Sequence, residues 1–147
     1  MKTETAETQD RLYSMNEVCG RTGLSYETLK FYCNKGLVPN VKRAENNYRV
    51  FDDNDIGWIE SLKCLKKCGM SIEEMQRYKD LCMEGVSSIP ERRKILTEKL
   101  ALLQKKMEEL QASIDFIGWK KQLYDDIESG RKPYVSYLLN GVGETSL

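Results

Sequence analysis

MNEVCGRTGLSYETLKFYCNKGLV (residues 15–38) has the pattern of two short amphipathic helices separated by a tight break at a glycine. Val18 lies on the apolar side of the first helix, and Leu29 and Tyr32 carry the inward face of the second. Ser25 stands just before the second helix, where a serine caps free backbone N–H groups. Two helices joined by a short glycine-containing turn form the helix-turn-helix pattern, whose second helix enters the DNA major groove. Taken alone, the pattern also fits an ordinary pair of core helices.

The residues that follow indicate a small β-hairpin. Pro39 is incompatible with a helix interior, residues 45–47 form a turn-forming Glu-Asn-Asn cluster, and residues 48–51 alternate as in a short strand. Between residues 21 and 49 there are six basic and two acidic residues, although the net charge of the whole chain is zero. A hairpin wing with this local basic excess predicts a winged helix-turn-helix domain that contacts phosphates.

Two further helices are expected after the wing. Asp52 or Asp53 caps a helix that ends near Gly69, and Ser71 caps the next one.

From residue 91 to residue 127 the apolar residues repeat as in a coiled coil. They advance alternately by four and three residues, like the a and d positions of a heptad. This seam consists of Leu96, Leu100, Leu103, Met107, Leu110, Ile114 and Ile117. A lone helix cannot bury so narrow a stripe, so we expect a second copy of the chain to pair with it. The alternative is a helix folded back on its own domain.

Bulk properties narrow the class of protein. A chain of 147 residues allows one compact domain with an appendage, and no apolar run is long enough to span a membrane. Five cysteines, an odd number at uneven spacing, favour reduced thiols, and the N-terminus lacks a secretory signal, so we expect a cytoplasmic protein. There is no histidine and no Gly-rich phosphate loop, so neither an enzyme nor a cofactor is expected.

The predicted fold class is therefore mainly α. The predicted segments are a disordered tail (1–11), a winged helix-turn-helix DNA-binding domain with a small β wing (12–84), a linker (85–90), a dimerisation helix (91–127) and a short C-terminal tail (128–147).

The ordered set of motifs resembles the MerR family of bacterial transcription regulators over residues 13–127. The resemblance is carried by Met15-Asn16-Glu17-Val18, Thr22-Gly23-Leu24-Ser25, Thr28-Leu29-Lys30-Phe31-Tyr32, Gly36-Leu37, Asn47-Tyr48-Arg49, Asp55-Ile56 and Gly69-Met70-Ser71-Ile72-Glu73-Glu74. It implies an antiparallel coiled-coil homodimer that binds a pseudo-palindromic promoter element with a long spacer. Such a dimer distorts the spacer so that RNA polymerase can use the promoter.

The residues expected to contact double-stranded DNA are Ser25, Tyr26, Thr28, Lys30, Tyr32, Lys35, Arg43, Tyr48, Arg49, Lys66 and Lys67. Those of the second helix face base edges or phosphates, and those of the wing combine positive charge with a phenol hydroxyl. Alternatives remain for three of them, because Tyr32 and Tyr48 also suit packing and Lys35 also suits a solvated surface. Phe31 stands where the family often has tyrosine, so this position lacks a hydroxyl for a phosphate.

Cys64 is the candidate sensor thiol. Residues 55–72 resemble the sensor-cysteine context of compact family members that respond to aldehyde and nitrosative stress, and residues 88–92 resemble the same subgroup. Lys63 and Lys67 are close in sequence, and nearby cations favour the reactive thiolate. The alternative is a buried structural cysteine, because Cys64 also adjoins an apolar stripe near the end of its helix.

Other sensing modes fit less well. The roughly twenty residues after position 127 are too few for a separate drug-binding domain, and the lack of histidine, with no cysteine after Cys82, argues against a metal sensor. Cys68 is a helper of Cys64 or a bystander, and Cys19, Cys33 and Cys82 are expected to be structural.

Two alternative functions stay open. One is non-covalent ligand binding by an aromatic pocket of Trp119, Tyr124, Tyr134 and Tyr137, although these aromatics also suit a tail that packs back on the protein. The other is a coiled-coil adaptor with no DNA role.

Overall fold

The computed structural model describes residues 11–139. Its elements in chain order are β1 (Tyr13–Ser14), α1 (Met15–Thr22), α2 (Tyr26–Asn34), β2 (Lys42–Arg43), β3 (Arg49–Phe51), α3 (Asp53–Lys67), α4 (Ile72–Glu84), a 3-10 turn (Val86–Ser88) and α5 (Ile89–Glu128). The mainly helical architecture, the small wing and the long C-terminal helix predicted from the sequence are confirmed. Among the described residues, no helix is long and apolar enough to cross a membrane.

Local capping explains where the first four helices begin. Ser14, Asp52 and Ser71 each accept a hydrogen bond from the backbone N–H three residues on, and an acidic side chain at that position bonds back to the cap. Ser25 caps α2 through the Thr28 N–H. Between α1 and α2, Gly23 has a φ of 75°, a left-handed conformation that glycine adopts without steric cost.

The wing belongs to a three-stranded antiparallel sheet in the order β1-β3-β2. Arg43 pairs with Arg49 in the hairpin, as the wing prediction requires, and Tyr13 pairs with Phe51 on the other side of β3. The sequence did not predict β1. A two-residue strand has no detectable periodicity, and only its pairing with β3 defines it.

The core lies where α1, α2, α3 and α4 meet the sheet. Its fully buried members include Val18, Leu29, Phe51, Ile59 and Met75. Tyr32 also belongs to this cluster. The predicted inward face of α2 is therefore correct.

The chain divides into two compact units, Met1–Leu100 and Ala101–Leu147, with the division inside α5. The predicted linker 85–90 contains the 3-10 turn, and α5 begins at Ile89 with Pro90 in its first turn, where proline is tolerated. α5 contains no buried residue. The predicted tails lie partly outside the described residues, which exclude 1–10 and 140–147.

Candidate DNA-binding surface and thiol groove

The N-terminal end of α2 presents hydroxyl groups and a tyrosine. Ser25 Oγ accepts from the Thr28 N–H at 3.1 Å and donates to Thr28 Oγ1 at 2.8 Å. Tyr26 and Lys30 are exposed on the same helix. These side chains are available to a ligand at the helix surface, and the two hydroxyls are already oriented by each other.

The burial of Tyr32 contradicts one predicted DNA contact. Its side chain is only 4% exposed, and burial raises the pKa of its phenol. Tyr32 is three residues after Leu29 and therefore faces the same core. Its side chain has almost no accessible surface that could contact a DNA backbone. Tyr32 is therefore a core residue, which was the alternative to a DNA contact. The exposed aromatic ring here is Phe31, with Lys35 Nζ 5.6 Å from the ring centroid.

The wing turn is held by its own polar groups. Asn47 has a φ of 66°, and its carbonyl accepts a 2.8 Å hydrogen bond from Arg43 Nη1. Tyr48 is 71% exposed at the tip of the hairpin. This exposure argues against the alternative that Tyr48 is a packing residue. Arg43 combines a structural bond to the turn with a solvent-exposed position.

Arg49 joins the wing to α2. Its Nη2 donates to Asn34 Oδ1 across 2.6 Å, and the two residues are 15 positions apart in the chain. Sequence reasoning selected Arg49 but missed Asn34, which has no motif of its own. The only sequence signal for Asn34 is its place at the last position of α2, one residue before the predicted contact Lys35.

Lys42, in contrast, holds the base of the wing. Its Nζ lies 2.9 Å from Asp52 Oδ2 and 3.7 Å from Asp55 Oδ2. The hydrogen bond from Lys42 is the largest cause of the lowered pKa of Asp52, whereas burial raises the pKa of Asp55. Part of the basic excess seen in the sequence is therefore neutralised inside the domain.

Lys66 and Lys67 are exposed in the last turn of α3, where positive charge suits the helix dipole. Within residues 11–139, no hydrogen bond or ion pair joins either lysine to α2 or to the wing. Their predicted DNA contact stays a prediction.

Cys64 lies in an open, largely apolar groove, which we call the thiol groove. Its volume is about 600 Å³, and it is lined by Trp58, Glu60, Ser61, Cys64, Leu65, Cys68, Tyr78, Cys82, Arg92 and Leu96. Cys64 is exposed, whereas Cys68 and Cys82 are partly buried. The groove thus brings together three thiols from two helices, and one of these thiols is freely accessible.

Of the two lysines predicted to act on Cys64, Lys63 binds other groups. Lys63 Nζ donates a hydrogen bond to the Thr22 carbonyl and lies 3.3 Å from Glu60 Oε2, so its positive charge is paired with these groups and not with Cys64. Arg92 Nη1 instead lies 3.8 Å from the sulfur of Cys82, while its other nitrogens bond Ser88 Oγ at 3.0 Å and the Gly85 carbonyl at 2.9 Å.

Cys19 and Cys33 pack against the core, and burial raises the pKa of both thiols. Among the described residues, no group of three or more cysteine and carboxylate side chains is arranged to hold a metal ion.

The second unit contains the aromatic residues of the chain end. Gly130 has a φ of 78°, and the following Arg131 binds Asp126 through both its backbone N–H and Nε, at 2.8 and 2.9 Å. This turn directs the tail back along α5. A cavity of about 320 Å³ results, lined by Trp119, Lys120, Leu123, Tyr124, Ile127, Tyr134, Val135, Ser136, Tyr137 and Leu138.

Two family models match the chain. One, described as MerR HTH family regulatory protein, covers residues 13–81, and the other, described as MerR, DNA binding, covers residues 58–118. An uncharacterized HTH-type transcriptional regulator of Haemophilus influenzae is 32% identical over 112 residues, which span 76% of this chain and 83% of that protein. The HTH-type transcriptional regulator AdhR of Bacillus subtilis is 39% identical over 83 residues, or 56% of this chain and 59% of AdhR.

Solved structures agree with these matches. The crystal structure of HiNmlR, described as a MerR family regulator lacking the sensor domain and bound to promoter DNA, is similar with a TM-score of 0.69 at 30% identity. The similarity covers 81% of this chain and 90% of HiNmlR. A MerR family regulator from Listeria monocytogenes gives the same TM-score at 27% identity, over 77% of this chain and 86% of that one.

Proposed function

This chain belongs to the MerR family of DNA-binding transcription regulators, and from that premise we propose that it acts as a homodimer whose response is triggered by covalent modification of Cys64. The dimer binds a two-fold symmetric promoter element through α2 and the wing. It distorts the spacer between the half-sites and so controls access of RNA polymerase.

The observation that carries this proposal is the hydrogen bond between Arg49 and Asn34. It fixes the wing against the C-terminal end of the recognition helix, so that the exposed side chains of both elements can meet one DNA duplex together. In this proposal Tyr26, Thr28 and Lys30 face the major groove, and Arg43 and Tyr48 contact the flanking backbone. Tyr32 no longer belongs to the surface.

Homodimer formation is supported by the apolar seam of α5. Six of the seven seam residues are between 41% and 65% exposed, and Leu103 is half-buried. None of the 40 residues of α5 is buried, so its apolar stripe stays in contact with solvent in a single chain. A second helix packed along the seam would bury this stripe. Two-fold symmetry in the protein then requires a two-fold symmetric binding site.

The trigger is supported by the exposure of Cys64 within the thiol groove. Addition of the thiol to an aldehyde forms one S–C bond, and the thiol proton moves to the former carbonyl oxygen to give a hemithioacetal. No oxidant or leaving group is required. The adduct adds bulk to α3, which follows directly on the wing and packs against α4.

In vitro selection from a random duplex library tests the DNA-binding part of the proposal. We expect an inverted repeat, bound with an affinity that falls steeply as salt concentration rises because several phosphates are neutralised. Recovery of a single asymmetric site, or of no enriched sequence, contradicts the proposed symmetric dimer on DNA. Family membership among DNA-binding regulators already argues against the adaptor alternative.

A second candidate trigger is a non-covalent ligand in the aromatic cavity of the second unit. It is favoured only by the 320 Å³ cavity that Trp119, Tyr124, Tyr134 and Tyr137 help to line. This candidate predicts a ligand-dependent rise in melting temperature that persists in the Cys64→Ser variant. Loss of the rise in that variant assigns the response to the thiol.

A further inference from the structure

The end of α4 and the start of α5 hold a thiol and a guanidinium group side by side. Arg92 Nη1 lies 3.8 Å from Cys82 Sγ, and among residues 11–139 this sulfur is the only hydrogen-bond partner of that nitrogen. We infer that Cys82 and Arg92 together form a modification site for small 1,2-dicarbonyl compounds, which bridge the two side chains covalently. The site is separate from the proposed Cys64 trigger and does not depend on it.

Hydrogen bonds to the 3-10 turn fix the orientation of the guanidinium group. Arg92 Nε donates to Ser88 Oγ at 3.0 Å, and Nη2 donates to the Gly85 carbonyl at 2.9 Å. Ser88 is only 4% exposed, so this anchor lies in the interior of the domain. Two nitrogens thus hold the third against the sulfur. Because the two reacting groups are already in place, closing the bridge after the first bond has formed is an intramolecular step.

Both reacting side chains line the thiol groove, so one compound in the groove can meet both of them. The volume of the groove, about 600 Å³, is typical of a small-molecule site, and its wall is largely apolar, with Trp58, Leu65 and Leu96 among its members. Cys82 itself is partly buried. A small, uncharged electrophile therefore fits this position.

The pairing of a thiol with a guanidinium group selects the class of electrophile. A compound with a single carbonyl carbon can bond to the thiol and leave the arginine unchanged. A 1,2-dicarbonyl compound offers two adjacent carbonyl carbons, and an S–C–C–N bridge spans a separation close to the 3.8 Å between Cys82 Sγ and Arg92 Nη1. The planar guanidinium group also presents two nitrogens to the two carbons at once, which a lysine ammonium group does not.

The reaction balances without an oxidant. With an α-oxoaldehyde, Nη1 and Nη2 add to the two carbonyl carbons, and each carbonyl oxygen takes up one N–H proton to become a hydroxyl. The sulfur then replaces the hydroxyl on the former aldehyde carbon, and that hydroxyl leaves as water with the thiol proton. The second hydroxyl leaves as water with the hydrogen of the former aldehyde carbon. The product is an aromatic imidazole joined to sulfur.

This modification changes the joint between α4 and α5. The new ring includes Nη2, the nitrogen that binds the Gly85 carbonyl, so the bond from Arg92 to the 3-10 turn is altered. The bridge also links the last turns of α4 covalently to the first turn of α5. A dicarbonyl compound thus acts on the segment that connects the DNA-binding domain to the long helix.

Peptide mass spectrometry of the full chain tests the inference. The chain is treated with phenylglyoxal and, in parallel, with benzaldehyde, which has the same aromatic ring and a single carbonyl group. Because trypsin does not cleave after a modified arginine, the bridged product is one peptide, residues 80–93, heavier by phenylglyoxal minus two waters. We expect this peptide with phenylglyoxal and not with benzaldehyde. Fragment ions from between residues 82 and 92 should be missing, since the bridge holds both halves together.

Matched variants separate this site from its neighbours. Arg92→Lys and Cys82→Ser each remove one reacting group, and we expect the yield of the bridged peptide to fall at least about tenfold in both. Arg93→Lys and Cys68→Ser are the controls, because Arg93 is the exposed neighbouring arginine and Cys68 lines the same groove. Both controls should keep the full yield. Cys64→Ser should keep it as well, whatever its effect on the aldehyde response.

Two results overturn the inference. One is equal phenylglyoxal modification of Arg92 and Arg93 with no bridged peptide, and the other is a bridged mass that persists in Cys82→Ser. Thermal melting establishes that each variant is folded. Should Cys82→Ser fail to fold, the wild-type chain unfolded in urea replaces it. A yield in urea equal to that of the folded chain then contradicts a site built by the fold, and a fall of at least about tenfold supports it.

Discussion

Arg49 on the wing donates a hydrogen bond to the side-chain oxygen of Asn34 at the end of α2, with 2.6 Å between the two atoms. The bond connects the hairpin to the C-terminal end of α2. Asn34 is exposed and Arg49 is half-buried, so we expect the bond to order the proposed DNA-binding face more than it stabilises the core.

We expect Asn34→Ala to weaken binding to the selected duplex by roughly three- to tenfold, because the net contribution of a typical hydrogen bond is about 0.5–1.5 kcal/mol and water can replace part of this bond at the surface. The melting temperature should change little. Fluorescence anisotropy with labelled duplex measures the affinity, and Asn40→Ala, another exposed asparagine of the same unit, serves as the control. Equal affinities for the wild-type chain and Asn34→Ala contradict the role given to this bond.

Replacing Leu103 by alanine should raise the dissociation constant of the dimer by at least about tenfold, since removing one buried leucine side chain costs about 2–5 kcal/mol. Leu102 is a matched control because it is the adjacent leucine, is 52% exposed and lies off the seam. Sedimentation over a range of concentrations measures both variants. A helix folded back on its own chain predicts instead that neither substitution changes the molecular mass.

Cys64 should react with a small maleimide before Cys19 and Cys33 do, because it is exposed whereas burial raises the pKa of the other two thiols. Timed labelling followed by peptide mass spectrometry gives the order of reaction. In a reporter strain, Cys64→Ser should keep DNA binding and lose the response to aldehydes, while Cys68→Ser keeps both. Full aldehyde response in Cys64→Ser removes the thiol trigger.

The ion pair between Lys42 and Asp52 should make a small, pH-dependent contribution to stability. The pKa of Asp52 is lowered from 3.8 chiefly by the hydrogen bond from Lys42, so the contribution is present above pH 3.8 and is lost as pH falls through the lower folded-state pKa. The pKa of Lys42 is raised from 10.5, so the contribution also disappears as pH rises through that higher value. Because Lys42 is half exposed, we expect only about 0.2–1 kcal/mol at neutral pH.

Asp52→Asn isolates this pair, because asparagine keeps the helix cap and loses the charge. Urea unfolding of both chains from pH 3 upward should show a stability difference that shrinks in acid. Burial of Asp55 acts in the opposite direction in both chains, since its raised pKa lowers stability as pH rises above 3.8. A difference that stays constant down to the acid limit contradicts the ion-pair account.

Much of the architecture was predictable from short-range patterns. Helix caps at Ser25 and Ser71, the turn at residues 45–47 and the heptads of α5 depend on residues within a few positions of one another, so the sequence displays them directly. Tyr32 shows the limit of this reasoning. Its place on the inward face of α2 was predictable, but only its 4% exposure decided between packing and a DNA contact.

The sequence by itself determined the order of the helices, the wing, the apolar seam and the family, because each follows from local periodicity or from an ordered set of motifs. Only the tertiary structure showed which basic side chains bind other groups of the same chain. Lys42 is held by Asp52, Lys63 by Thr22, and Arg49 by Asn34, across separations of 10, 41 and 15 residues. It also brought Cys64 and Cys82 into one groove with Leu96. Such contacts join residues that are far apart in the chain, so no local pattern in the sequence predicts them.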